Sequence, residues 1–171
     1  MSTVLVEPEY HLELIDGREI QKRVPRNLHA FIQPFLIQWF GRELAAAAGS
    51  KHRVVSELNV LCREDRLVPD VTVVLRTAAY KRGDLADPAA LAVEIMSPGQ
   101  VLSDLMDRCE RLLASGTSVC WLIWPERRKA WEYKIDSFRE YSFMEASESL
   151  TVQIEDCSLS LPLTEMWAEL D

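Results

Sequence analysis

Apolar positions recur along this chain in two rhythms, and the changes of rhythm mark out its elements. Over residues 27–48, Leu28, Phe31, Ile32, Phe35, Leu36, Trp39 and Phe40 return at intervals of three and four, the spacing of one face of an amphipathic helix. Asn27 suits its N-cap and Gly49 its stop. Pro34 lies inside this helix and predicts a kink, because its ring removes a backbone donor and crowds the preceding turn. Ahead of it, residues 10–24 set Asp16-Gly17 between two short alternating runs, a strong hairpin signal. Beyond it, residues 53–62 and 68–75 are rich in Val and Leu and flank the polar stretch Arg63-Glu64-Asp65-Arg66, which predicts two antiparallel strands. A polar connection over 76–87 leads through Pro88 into a third strand, 89–96, ended by Ser97-Pro98-Gly99.

The rhythm then returns to helical. Ser103 is a candidate N-cap, and Asp104 and Asp107 put negative charge in the first turn. Leu105, Met106, Cys109, Leu112 and Leu113 form one stripe, and Gly116 ends it. The run Val119-Cys-Trp-Leu-Ile-Trp124 lacks polar alternation, as expected of a strand covered on both faces; strand, helix and buried strand predict a right-handed βαβ unit. The turn 125–128 leads into an alternating strand over 129–135, expected at the antiparallel edge, followed by short strands near 139–143 and 150–154. A terminal helix within 161–170, starting at Thr164 or the residue before it, would pack Met166, Trp167 and Leu170 onto the body. The fold class is mixed α/β, a sandwich built on one sheet. Its core is a helix, three mostly antiparallel strands, a helix and a strand, with an N-terminal hairpin and extra C-terminal strands, in a single domain over 1–171.

Composition changes this picture in two respects. A chain of 171 residues, 48% hydrophobic, can bury its own core without disulfides. Cys62, Cys109, Cys120 and Cys157 show no CxxC spacing and read as small buried hydrophobes in a reduced, cytoplasmic protein. Nineteen Lys and Arg against 27 Asp and Glu give a net charge of -8, so attraction to nucleic acid requires a local basic patch or a bound cation. Arg63, Arg66, Lys81, Arg82, Arg127, Arg128 and Lys129 fall in predicted turns; they form either a phosphate-tracking rim or ordinary solvated loops. No apolar run approaches the roughly 18 residues of a membrane span, and Glu7 and Glu9 stand where a secretory signal carries basic residues. Trp131 and Tyr133, on a predicted edge strand, are candidates for the contact of a homodimer.

Two acids carry the candidate chemistry. If 68–75 and 89–96 pair about a connection centred near Arg82, Asp70 faces Glu94, with Thr72 opposite Ala92 and Val74 opposite Ala90. Directly opposed carboxylates repel unless a proton or cation lies between them, and a hard divalent ion such as Mg²⁺ or Mn²⁺ is a natural partner. On spacing alone the commoner reading is a strand-start Asp and a Glu in a cap or salt bridge. Arg108 flanks the helical stripe on the side of Asp104 and Arg111. It can lean toward Glu94 or, as is commoner, snorkel outward and pair with Asp104. His29 reads as a surface or satisfied core histidine, and His11 and His52 lack the partners of a zinc site.

Several of these stretches, in order, are similar to one known family. Leu12-Glu-Leu-Ile-Asp-Gly17, His29 opening a helix, Pro69-Asp70, Val93-Glu-Ile-Met-Ser-Pro98, and Gly116 before Trp121-Leu-Ile-Trp-Pro125 resemble the Uma-type restriction-endonuclease-like proteins. That bacterial family, abundant in cyanobacteria, belongs to the PD-(D/E)XK nuclease superfamily. The resemblance runs from about residue 10 to Leu161-Pro-Leu163. It implies metal-dependent cleavage of nucleic acid, DNA above all, with Asp70 and Glu94 as the metal-binding acids. It also implies that the superfamily lysine, absent at Met96, is replaced by a lysine on the following helix, a pattern from which this chain departs. That position is Arg108 here, and the aromatic expected one turn later is Leu112. Arginine keeps the charge, so Arg108 is the third catalytic candidate, but its pKa is too high for the role of a base. Loss of that lysine leaves an alternative, a catalytically degenerate member acting as a binding or assembly module.

Overall fold

Asp16 and Gly17 both adopt positive φ, 49° and 73°, the requirement of a tight type I′ hairpin, and they join β1 (Leu12–Ile15) to β2 (Arg18–Gln21). The computed structural model describes residues 12–22, 28–47, 49–142, 148–155 and 157–171. The expected N-cap Asn27 and His11 lie outside these, as do residues 10 and 11 of the predicted hairpin, 23 and 24 beyond it, and residue 143 of a predicted strand. Helix α1 (His29–Ala46) continues through Pro34.

The predicted strand 53–62 divides in two. β3 (His52–Ser56) ends at Glu57, whose φ of 51° turns the chain out of the sheet, and β4 (Val60–Cys62) joins another sheet. Arg63, also at positive φ, turns β4 back into β5 (Asp65–Leu67). After β6 (Val71–Leu75), the connection expected to be irregular carries β7 (Tyr80–Lys81) and β8 (Asp84–Leu85). Then come β9 (Leu91–Ile95), α2 (Leu102–Ala114), β10 (Val119–Trp124), β11 (Lys129–Lys134) and β12 (Ser137–Ser142). The chain finishes with β13 (Ser149–Ile154), β14 (Cys157–Pro162) and α3 (Leu163–Ala168).

Three sheets result, where one was expected. The central sheet has the order β12-β11-β10-β9-β6-β3; a second has the order β2-β1-β5-β4-β8-β7; β13 and β14 pair by themselves. In the central sheet β9 and β10 are parallel, bridged by α2, and the other pairings are antiparallel. The chain is thus a mixed α/β fold whose core contains the expected helix, three antiparallel strands, helix and strand. The segments inserted between β3 and β6 and between β6 and β9 join the N-terminal hairpin to build the second sheet.

The central sheet separates two apolar layers. Val71, Val73, Leu91, Val93, Ile95, Trp121 and Ile123 pack with Ile32, Leu36 and Phe40 of α1 and with α3. Val74, Ala92, Cys120 and Leu122 pack with Leu105, Cys109 and Leu112 of α2. Alternation along a strand therefore puts the even-numbered residues of β6 and β9 on the α2 face.

Other expectations are corrected. Helix α2 begins at Leu102 with Val101 as its N-cap and no side-chain cap, so Ser103 lies within the first turn. β11 is interior, paired on both sides, and Trp131 and Tyr133 are buried. Arg66, Lys81 and Lys129 are strand residues rather than turn residues. β14 takes Leu161 and Pro162 from the predicted terminal helix, which begins at Leu163 and buries Met166 and Trp167 as expected. All four cysteines are free, and Cys62, Cys109 and Cys120 are buried. Among the described residues no helix is long and apolar enough to cross a membrane.

Candidate active site

The ladder between β6 and β9 pairs Val71 with Val93, Thr72 with Ala92 and Val73 with Leu91, the register expected from the sequence. One step further, Pro69 precedes the first residue of the pairing, and the Asp70 N–H donates to the Val93 carbonyl at 3.0 Å. The Asp70 carboxylate reaches across to β9, where Oδ2 accepts the Ile95 N–H at 2.6 Å. Asp70 and Glu94 are thereby held at adjoining strand ends, on the α2 face, and both are almost fully buried, 2% and 3% exposed.

Two cations meet these acids. From α2, Arg108 donates through Nη2 to Glu94 Oε1 at 3.0 Å, and its fork grips Glu13 of β1, Nη1 to Oε2 at 2.5 Å and Nη2 to Oε1 at 2.6 Å. Arg108 therefore leans inward over the sheet, and the expected outward pairing with Asp104 is not what forms. A buried carboxylate pair that can receive a planar guanidinium fork outcompetes an exposed partner on the same helix. Beyond β2, Lys22 Nζ donates to Asp70 Oδ1 at 2.7 Å, Glu57 Oε2 at 2.8 Å and the Val68 carbonyl at 2.7 Å. Gln33 of α1 steadies that corner by donating to Glu57 Oε1 and the Asp70 carbonyl.

His29 lies at the mouth of α1, buried, with Nδ1 2.9 Å from Ser97 Oγ and Nε2 3.5 Å from Asp70 Oδ1. If Nδ1 accepts the Ser97 hydroxyl, the ring proton lies on Nε2 and faces Asp70, an atom that otherwise has no hydrogen-bond partner. Glu13, Lys22, His29, Asp70, Glu94 and Arg108 line a cleft of 480 Å³ that also takes in Gln100 and Ser103.

Electrostatics follow from the burial. Burial pushes the Glu94 carboxyl up to about 7; the Arg108 guanidinium works against that and the nearby Asp70 charge adds to it. Burial also disfavours the Arg108 charge, but Glu94 and Glu13 outweigh it and raise its pKa. The same contest holds for Lys22, where Asp70, Glu94 and Glu57 overcome burial. Burial lowers the His29 pKa, only partly opposed by Asp70, so the ring is neutral near pH 7.

The residues can be tested against a divalent ion on this geometry. Glu13, Glu57, Asp70 and Glu94 bring four carboxylates to the cluster, against the two cations Lys22 and Arg108. The acids of this cluster outnumber its cations, as the binding of a divalent ion requires. The donors are hard carboxylate oxygens of the type Mg²⁺ and Mn²⁺ take, and one or two carboxylates completed by water suffice for Mg²⁺. Among the described residues no group of three or more His, Cys, Asp and Glu side chains is arranged to hold a metal ion. The fit thus rests on the Asp70 and Glu94 pair, with both acids at present engaged by cations.

Sequence reasoning missed Glu13, Lys22 and Glu57, and underrated His29. Glu13 left a faint trace: in Leu12-Glu-Leu-Ile15 it is the glutamate that is buried most deeply, which requires a buried partner for its charge.

A mixed sheet backed by α1 and α2, with an Asp and a Glu at the ends of adjoining central strands, defines a restriction-endonuclease-like nuclease fold. The chain belongs to the Uma2 family, described as "Putative restriction endonuclease", whose model matches residues 2–164. It is also similar to a crystal structure from Anabaena variabilis ATCC 29413 described as "a putative nuclease belonging to DUF820". The two share 22% sequence identity over 94% of this chain and 91% of that one, with a TM-score of 0.78, a likeness of fold. No curated protein matches the chain.

Proposed function

We propose that this protein is a metal-dependent endonuclease that hydrolyses phosphodiester bonds of DNA. The observation that carries the reading is the buried pair Asp70 and Glu94 on one face of the central sheet, opening on the 480 Å³ cleft beside Lys22 and Arg108. In hydrolysis, water adds to phosphorus, the bond from phosphorus to one sugar oxygen breaks, and that oxygen leaves with a proton. Asp70 and Glu94 would hold Mg²⁺ or Mn²⁺, which when bound supplies charge neutralisation at the scissile phosphate and a more acidic water. Arg108 holds Glu94 in place and adds fixed positive charge, and as an arginine it takes no proton from water.

Supercoiled plasmid with added Mn²⁺ tests the reading: the wild-type protein should convert it to the nicked form, and Asp70→Ala should abolish conversion. Wild type and Asp70→Ala equally inert on DNA and on RNA would sink it.

A second reading, a degenerate member that binds without cutting, is favoured by one observation. Every lysine and arginine lining the cleft is already engaged by carboxylates, Arg108 by Glu13 and Glu94, Lys22 by Glu57 and Asp70, and Arg111 by Asp16, Asp65 and Asp107. Nicking that appears only in Arg108→Lys supports degeneracy, and nicking by the unaltered chain rejects it. A homodimer in this reading joins through the outer strand β12 rather than through Trp131 and Tyr133.

A further inference from the structure

We propose that Lys22 is a built-in cation that competes with a divalent metal ion for Asp70, so that the ion binds only as the ammonium leaves that carboxylate. This rests on the metal-dependent reading above and says how the site is guarded.

The three oxygens around Lys22 Nζ are two carboxylates and a main-chain carbonyl, all within 2.7 to 2.8 Å. They use every N–H of the ammonium, and they are the donor types that a hard cation takes. Both oxygens of Asp70 are engaged. Oδ2 is committed to the Ile95 N–H, and Oδ1 carries Lys22. An ion bonded to Oδ1 at about 2.0–2.1 Å would sit close to the ammonium in a buried corner, where like charges repel strongly. The two cations are therefore alternatives at Asp70.

Leaving Asp70 does not strand the lysine. Glu57 Oε2 and the Val68 carbonyl remain as partners, and Gln33 fixes Glu57 from the other side. The lysine side chain is only 12% exposed, and its partners Glu57 and Val68 come from the insertion between β3 and β6. The same insertion that builds part of the second sheet thus supplies the anchor on which the lysine can pivot.

Calorimetric titration of Mn²⁺ into the full chain, wild type against Lys22→Met and Lys22→Gln, reads the competition. Loss of the charge-assisted contact should tighten Mn²⁺ binding about tenfold to a hundredfold, while lowering the melting temperature of the chelator-treated protein. A second readout uses the unaltered chain: in amine acylation followed by mass spectrometry, Lys22 should be protected in chelator and labelled faster when Mn²⁺ saturates the site. Mn²⁺ binding that is equal or weaker in both variants, or labelling of Lys22 unchanged by Mn²⁺, overturns the competition and leaves Lys22 a brace for Asp70. Absence of Mn²⁺ binding in wild type and variants alike overturns the metal site itself, and this proposal with it. Should neither variant fold, the labelling result decides alone.

Discussion

Glu94 is the acid of the candidate site whose protonation is shifted by burial. Burial raises its pKa from 4.5 to about 7, with Arg108 opposing and Asp70 assisting. Between those values the folded chain keeps a proton that the unfolded chain has released, so folding takes up a proton and stability falls as pH rises through the window. Above it, the folded protein carries the whole cost of a buried charge. Glu94→Gln removes the charge and keeps an oxygen for Arg108. In chelator its melting temperature should exceed that of wild type at about pH 8, with the gain shrinking toward about pH 5; a gain equal at both pH values refutes the account. The β6 to β9 register that brings Asp70 beside Glu94 was legible from a turn centred near Arg82, but the site role of the two acids came from the family resemblance, since spacing alone favours a structural reading. Glu13, the second acid that Arg108 grips, could not be found that way. Helical periodicity gives the side of α2 on which Arg108 lies, but Glu13 is 95 residues away in the chain, and nothing local announces it. Lys22 was hidden for the same reason, since its three oxygens come from beyond β3 and ahead of β6.

The elements with a long apolar rhythm were legible: α1, α2, β9 and β10 follow directly from spacing, and the Asp16-Gly17 turn from its residue types. What escaped lacks rhythm. β7 and β8 have two residues each, too few to show a period, and the break that divides 53–62 lies at Glu57, a positive-φ position that glutamate does not signal. The edge of the central sheet was misassigned because alternation in β11 reflects a buried α2 face and not an exposed one. The true outer strand, β12, bears Phe138 at 54% exposed, next to Ile135 at 73% in the preceding turn. Both line a groove of 830 Å³ against Met106 and Leu113 of α2. Among the described residues β12 has no strand on its outer side, and an outer strand with apolar neighbours is a template for pairing with another copy. Light scattering should therefore report a dimer, and Phe138→Asp a monomer of unchanged melting temperature; a wild-type monomer at high concentration refutes the contact.

The charge of the whole molecule bears on how it meets its substrate. At a net charge of -8 the long-range field repels a polyanion. The basic residues that could form a rim are divided between sheets, with Arg63, Arg66, Lys81 and Arg82 on the second, and Arg127 and Arg128 in the β10 to β11 turn and Lys129 at the start of β11 on the central one. Several are already engaged: Arg66 lies 3.9 Å from Asp84, Arg63 donates to the Ala114 carbonyl, and Arg128 pairs with Asp171. The acidic cleft is a worse surface still, since six carboxylates (Glu13, Asp16, Asp70, Glu94, Asp104 and Asp107) line it against the three cations Lys22, Arg108 and Arg111. A divalent ion bound in that cleft would offset part of this negative excess at the point of contact, so it should influence binding as well as cleavage. Fluorescence anisotropy with a phosphorothioate duplex that resists hydrolysis separates the two effects. In chelator the duplex should bind weakly, and saturating Mn²⁺ should tighten binding by at least about tenfold. Asp70→Ala should remove that gain without changing the weak binding in chelator. Counter-ion release makes the salt slope a count of phosphates neutralised, so the slope in chelator should be shallow. A steep slope, with equal affinity in chelator and Mn²⁺, would mean that the basic residues act together as the DNA-binding rim and that the ion serves chemistry alone.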